Sequence, residues 1–236
     1  MSKSSVQQIK DRFDADVDRF SSLESGHTAI MDSVVMLEVL TKSAAACTPN
    51  AESMLDIGCG AGNYSLKLLG LLPKLKVSLV DLSLPMLERA RERLSKAGCH
   101  SVEILQSDIR DLNFGKGQFD IILAGAVFHH LRGDEEWREV FNRCYQALKP
   151  GGGLWIADLI EHENSAVQKV MWERYSQYLI QAGGEDLRDK VFANIEQEDT
   201  PRGLNFQLAL MREIGFCEIE VLHKSGSFAA FGGTRQ

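Results

Sequence analysis

The sequence predicts an α/β fold, a three-layer arrangement in which a mostly parallel sheet is covered by helices, and three observations carry that prediction. From residue 53 onward, short continuous apolar runs alternate with segments of helical spacing, the pattern of strands buried on both faces. The first run ends in a glycine-rich turn, Asp56-Ile57-Gly58-Cys59-Gly60-Ala61-Gly62, with a helix behind it. The next run, Lys76-Val77-Ser78-Leu79-Val80-Asp81, ends on an acid, at about the distance from the turn that separates the two halves of a nucleoside site.

The elements follow in order. Residues 53–58 read as a buried strand, and 63–72 as a helix that Pro73 stops. Strand 76–81 leads to a helix over 84–97, with Ser83 as its N-cap and Gly98 closing it. Strands are expected at 102–107 and 119–127, a helix at 134–148, and a turn at Lys149-Pro150-Gly151-Gly152-Gly153 before a fifth strand at 154–160. Residues 164–198 form a helical insert split at Gly183-Gly184. A helix at about 205–214 with Gly215 as C-cap precedes two strands, 217–223 and 227–232, whose short connection makes an antiparallel hairpin. No repeat, low-complexity tract or linker interrupts the chain. One domain is expected, with an N-terminal helical lid over 1–48, a binding core over 49–160, the helical insert over 161–200 and a C-terminal helix and hairpin over 201–236.

Bulk properties exclude several classes. The chain has 236 residues, 44% apolar and 25% charged, the composition of an ordinary soluble protein. No apolar run approaches the roughly 20 residues needed to span a bilayer, and the charged N-terminus lacks the apolar centre of a signal peptide. A cytoplasmic protein without a membrane partner is the resulting expectation. The five cysteines are scattered without a Cys-x-x-Cys pair, which indicates neither a disulfide framework nor a metal site. A net charge of −7 argues against a nucleic-acid partner. A homodimer is left open.

The glycine turn lets backbone approach a ligand closely, and Asp81 suits ribose hydroxyls. Asp56 in front of the glycines would oppose a pyrophosphate but tolerate a cationic amino acid. That combination suggests S-adenosylmethionine, which carries a sulfonium and an ammonium group.

These motifs, in this order, resemble the class I S-adenosylmethionine-dependent methyltransferases over about residues 50–235. Asp56–Gly62 resembles the glycine-rich motif of that family, Asp81 its ribose acid, and Ser107-Asp108-Ile109 the segment that meets adenine. Phe119-Asp120, Val127-Phe128-His129-His130-Leu131 and Leu148-Lys149-Pro150-Gly151-Gly152 resemble its fourth strand and the turn before its fifth. The resemblance implies a seven-stranded sheet of order 3-2-1-4-5-7-6 with one antiparallel strand, and S-adenosylhomocysteine as the product. Cofactor contacts are then expected from Asp56, Gly58, Cys59, Gly60, Gly62, Asp81, Leu82, Asp108, Ile109 and Ala126.

A second resemblance is narrower. Phe13-Asp14-Ala15-Asp16 and residues 216–231 are similar to the enzymes that make carboxy-S-adenosylmethionine for tRNA modification. Those enzymes hold the extra carboxylate with an arginine of the insert, for which Arg188 and Arg202 are the candidates here. A cofactor-binding subunit without activity is the third alternative.

Methyl transfer demands positioning more than acid–base chemistry. If the acceptor must lose a proton, His129, His130 and Asp158 are candidates, with Glu161 and His162 close by. As neighbours on a strand end, the two histidines should point opposite ways, so that one at most faces the substrate. Trp172, Tyr175 and Tyr178, at helical spacing, either pack in the core or close with Phe13 and Phe20 over a small-molecule acceptor.

Overall fold

The computed structural model describes residues 3–22 and 28–236. Helices α1 (Val6–Ala15), α2 (Val17–Ser21) and α3 (Ser33–Cys47) precede β1 (Ser53–Ile57). Then follow α4 (Asn63–Leu71), β2 (Lys76–Asp81), α5 (Leu84–Lys96), β3 (Val102–Gln106) and β4 (Phe119–Gly125). The remainder is α6 (Asp134–Ala147), β5 (Leu148–Leu159), α7 (Ser165–Glu198), α8 (Leu204–Ile214), β6 (Phe216–Ser225) and β7 (Phe228–Arg235). The sheet order is β3-β2-β1-β4-β5-β7-β6. Pairs from β3 to β5 are parallel, and β7 runs antiparallel to both β5 and β6.

Alternation along the strands divides the core in two. Met54, Val77, Leu79, Ile121 and Leu123 point to one face, where they meet Leu40 of α3, Leu68 of α4, Leu87 of α5 and Leu179 of α7. Leu55, Ile57, Val80 and Ile122 point to the other, against Trp137 and Phe141 of α6 and Leu210 of α8. Because side chains change face every residue, Asp56 shares the face of Met54, beneath α4.

Local signals account for the boundaries. The Ser83 hydroxyl accepts from the Met86 amide at 3.3 Å and caps α5. Gly215 ends α8 at φ +114°, and Gly183 and Gly184 interrupt α7 with non-helical dihedrals. Two expectations need correction. The fourth strand stops at Gly125 rather than at residue 127, because Ala126 turns to φ +54° and a 3₁₀ turn, Phe128–His130, follows. The fifth strand begins earlier, at Leu148, and the expected Lys149–Gly153 turn stands within it as a bulge: Phe119 pairs with Leu148 and Ile121 with Gly153, while Gly151 turns to φ +82°. The N-terminal 48 residues also divide into separate helices, with a break at Asp16.

Candidate active site

At the carboxyl ends of β1, β2 and β4, the glycine turn, the acid after β2 and the segment after β3 line one cavity, roofed by α1 and α2. This is the edge at which open α/β sheets bind ligands. Gly58 stands at φ +65°, and a Cβ there would lie 2.6 Å from Cγ2 of Val127, so the turn packs directly on the end of β4. Gly60 stands at φ +49° with nothing near its Cβ position; its bare backbone faces the cavity. Arg93 of α5 binds the Ala61 carbonyl and the Asn63 side chain, fixing the far side of the turn.

Asp81 ties these parts together. One oxygen accepts from the Gly60 amide at 2.9 Å and the other from the Ser83 amide at 2.9 Å. Burial pushes its carboxyl above the ordinary value, against the pull of these amides. Leu82, Ser107, Asp108 and Ile109 continue the wall. Asp108 is clasped by Arg110, whose Nε lies 2.8 Å and whose amide lies 2.9 Å from one oxygen. Burial acts upward on that carboxyl, but Arg110 holds it below its usual range. Cys59 and Ala126 also line the cavity.

Two expected cofactor residues stand off the wall. Gly62, at φ +82°, packs on α5, where a Cβ would meet Ala90 at 3.0 Å. Asp56 is 2% exposed and accepts from the Ser65 hydroxyl at 2.5 Å. Burial raises its carboxyl to about 7.

The two histidines do not diverge as strand neighbours would. In the 3₁₀ turn their ring centroids are 4.3 Å apart. His130 lines the cavity, whereas His129 lies behind it, buried. Asp158, at the end of β5, builds this turn: it accepts from the amides of Phe128 at 2.8 Å, His129 at 3.2 Å and Leu159 at 2.7 Å, and pairs with His129 Nδ1. On the far side of the rings stands Asp199, which caps the end of α7. Its Oδ1 is 3.7 Å from His129 Nε2 and 3.1 Å from His130 Nδ1, at ion-pair distance but off the line of a hydrogen bond. Burial opposes charge on His129, yet Asp158 and Asp199 together raise it from 6.5 to about 9. Burial likewise acts upward on Asp199, and the histidines hold its carboxyl below its ordinary value.

Phe13 and Phe20 line the cavity, their centroids 5.7 Å apart, and Phe13 meets the His130 ring edge-on at 6.1 Å. Trp172, Tyr175 and Tyr178 are not on that wall. Tyr175 is buried against Phe228 and Phe192, and its hydroxyl donates to the Ala29 carbonyl at 2.6 Å. Tyr178 donates to the Thr28 carbonyl at 3.0 Å. The pair therefore secures the segment that carries Ile30 to the cavity rather than facing the cavity itself. Glu161 and His162 also stay off the wall, and His162 faces Gln168 at 3.0 Å. Sequence reasoning missed Asp199, Asn63, Tyr64 and Arg110. Asp199 carried no local signal, because its partners stand far away along the chain.

Residues 54–152 match the model of a family described as methyltransferase domain. A demethylmenaquinone methyltransferase from Lactococcus lactis is 28% identical over 78% of this chain and 73% of its own. The chain resembles the S-adenosylmethionine-dependent methyltransferases, and the matched stretch spans the glycine turn, Asp81 and Asp108. A carboxy-S-adenosyl-L-methionine synthase from Trichodesmium erythraeum is also similar to this chain, 27% identical over 75% of it and 70% of that protein. Among solved structures, human N-acetylserotonin methyltransferase in complex with its cofactor superposes with a TM-score of 0.63 over 98% of this chain. At 16% identity that likeness is one of fold, and the chain spans 57% of the length of that protein.

Proposed function

We propose that the protein moves the methyl group of S-adenosylmethionine to a small-molecule acceptor beneath α1 and α2, with His130 receiving the acceptor proton. The observation that supports this most is that Gly60, Asp81, Asp108 and His130, from four separate loops, line one cavity. Asp81 suits the ribose hydroxyls, the Asp108–Ile109 segment the adenine edge, and Gly60 close backbone approach. Asp56, held inside the sheet face, acts on the turn through Ser65 and α4 rather than by direct contact. When bound, S-adenosylmethionine supplies an electrophilic methyl on a sulfonium.

His130 turns Nδ1 to Asp199, which leaves Nε2 as the nitrogen for a substrate proton. His129, charged between Asp158 and Asp199, anchors that carboxylate and is not itself the base. An imidazole with a buried carboxylate beside it is a sound arrangement for taking a proton from a hydroxyl, because the acid stabilises the imidazolium that forms. The roof residues Val6, Ile9, Phe13, Phe20 and Ile30 are all apolar. They favour an apolar ring acceptor with an ionisable group, the class to which the relative's substrate, demethylmenaquinone, belongs by name.

Transfer of a labelled methyl group to a panel of hydroxylated aromatic and quinol compounds tests this reading. Activity on at least one, lost in His130→Ala but with S-adenosylhomocysteine binding retained, is the expected result. Labelling that His130→Ala leaves unchanged would remove the histidine from the reaction.

The carboxylated cofactor is the second reading, favoured by the synthase relative. Against it, neither candidate arginine is on the cavity wall. Arg188 pairs with Asp189 at 2.5 Å and Arg202 with Asp134 at 2.8 Å. The mass of the cofactor that co-purifies separates the readings, since the carboxylated form is heavier by one carboxyl group.

A further inference from the structure

The last turn of α7 is gripped from two sides by parts of the chain remote in sequence. From the N-terminal side, the Ser4 amide donates to the Gln197 carbonyl at 2.8 Å. Lys3 reaches the carbonyls of Glu196, at 2.8 Å, and Asp199, where a helix C-terminus presents unpaired acceptors and favours a cation. Arg12 of α1 closes on Glu198, with Nη2 at 2.5 Å from one oxygen and Nε at 2.9 Å from the other. From the sheet side, the Thr200 amide donates to the His129 carbonyl at 2.7 Å. Consecutive residues thus face opposite tasks: Glu198 holds the roof, and Asp199 stands between the two histidines.

The Glu198 side chain is 6% exposed and that of Arg12 26%, so this is not a solvated surface pair. Removing one partner would leave a buried carboxylate without its cation, which is costly. Arg12 also lies over the Phe13 ring, 4.2 Å from its centroid, and Phe13 is the roof residue that meets His130. The other roof residues of α1, Val6 and Ile9, stand at helical spacing from Phe13 and close the same cavity. Through these side chains α1 covers part of the cavity, so its seating bears on how readily a ligand leaves.

We propose that Arg12 and Glu198 are positioning residues of the transfer reaction: their ion pair seats α1 over the cavity and at the same time keeps Asp199 in register with His130. Closing the roof and orienting the base are then one event, since both depend on residues 198 and 199 of a single helix end. This rests on the cavity being the cofactor and acceptor site.

The test is the rate at which tritium-labelled S-adenosylhomocysteine leaves the full-length protein in a chase with unlabelled ligand, combined with the imidazole NMR signals of His130. Glu198→Gln and Arg12→Gln should each raise the dissociation rate about tenfold, as truncation of a buried charge pair acts mainly on off-rates. Both should also shift the His130 signals. Arg12→Lys keeps the charge and should recover most of the slow release. A melting temperature that falls in Arg12→Gln while release and the His130 signals stay as in the parent would show a merely structural pair and overturn the proposal. A parent protein that does not bind S-adenosylhomocysteine would overturn the cofactor reading and the latch with it, whereas binding with unaltered release overturns the latch alone.

Discussion

At the scale of single residues, the site depends on a few backbone positions and a few buried charges. Gly58→Ala is the sharpest substitution. It places a methyl group 2.6 Å from Val127 Cγ2 at a positive φ, and strain of about 1–3 kcal/mol is expected from the backbone alone. A lowered melting temperature with weakened cofactor binding should result. His129 makes a second prediction, read from its charge. Its folded-state value is raised to about 9 from 6.5. The stabilisation is therefore complete below about pH 6.5 and is lost as pH rises through about 9. Denaturant unfolding between those values should show stability falling with pH, and His129→Gln should flatten that slope. A slope unchanged by the substitution would mean that His129 is neutral between its two acids.

At the scale of elements, what was legible in the sequence was what local chemistry encodes. The Ser83 cap, the stop of α8 at Gly215 and the interruption of α7 at Gly183-Gly184 each depend on neighbours within a few residues, so a sequence shows them. The glycine turn and Asp81 were legible because their spacing reflects one strand–helix–strand unit. The end of β4 was not, because Ala126 in a left-handed conformation has no sequence mark. Its N–H donates to the Ala157 carbonyl at 2.8 Å, a partner that only the assembled sheet supplies. That turn moved both histidines to one side and cancelled the expectation that they diverge. Tyr175 and Tyr178 were legible as one helical face, but not what that face touches. Gly184 offers an element-scale test. It stands at φ +84° with open space at its Cβ position, so Gly184→Ala should cost about 1–3 kcal/mol through backbone strain and not through a clash. Denaturation midpoints of this variant and of Gly70→Ala, in the last turn of α4 with equal space, should move in opposite directions, because alanine favours a regular helix.

At the scale of the whole molecule, the sheet brings together groups that are far apart along the chain. The ends of β1, β2 and β4 carry the turn, the acid and the histidines to one edge, and the α7 terminus supplies Asp199 from the other side. The antiparallel β7 lies between β5 and β6. It approaches β5 so closely that a Cβ on Gly232 would meet Trp155 Cε3 at 2.3 Å and the Leu154 carbonyl at 2.7 Å. Gly232→Ala should therefore destabilise the protein by about 1–3 kcal/mol, seen as a lower urea midpoint. The central claim, that this edge is a nucleoside cofactor site read by Asp81, is tested most directly by calorimetric titration of S-adenosylhomocysteine into the parent protein and into Asp81→Ala. The account predicts saturable one-site binding that the substitution weakens by about 1–3 kcal/mol, the cost of an unmet polar partner. No heat of binding in the parent, or equal affinity in the two proteins, would contradict it.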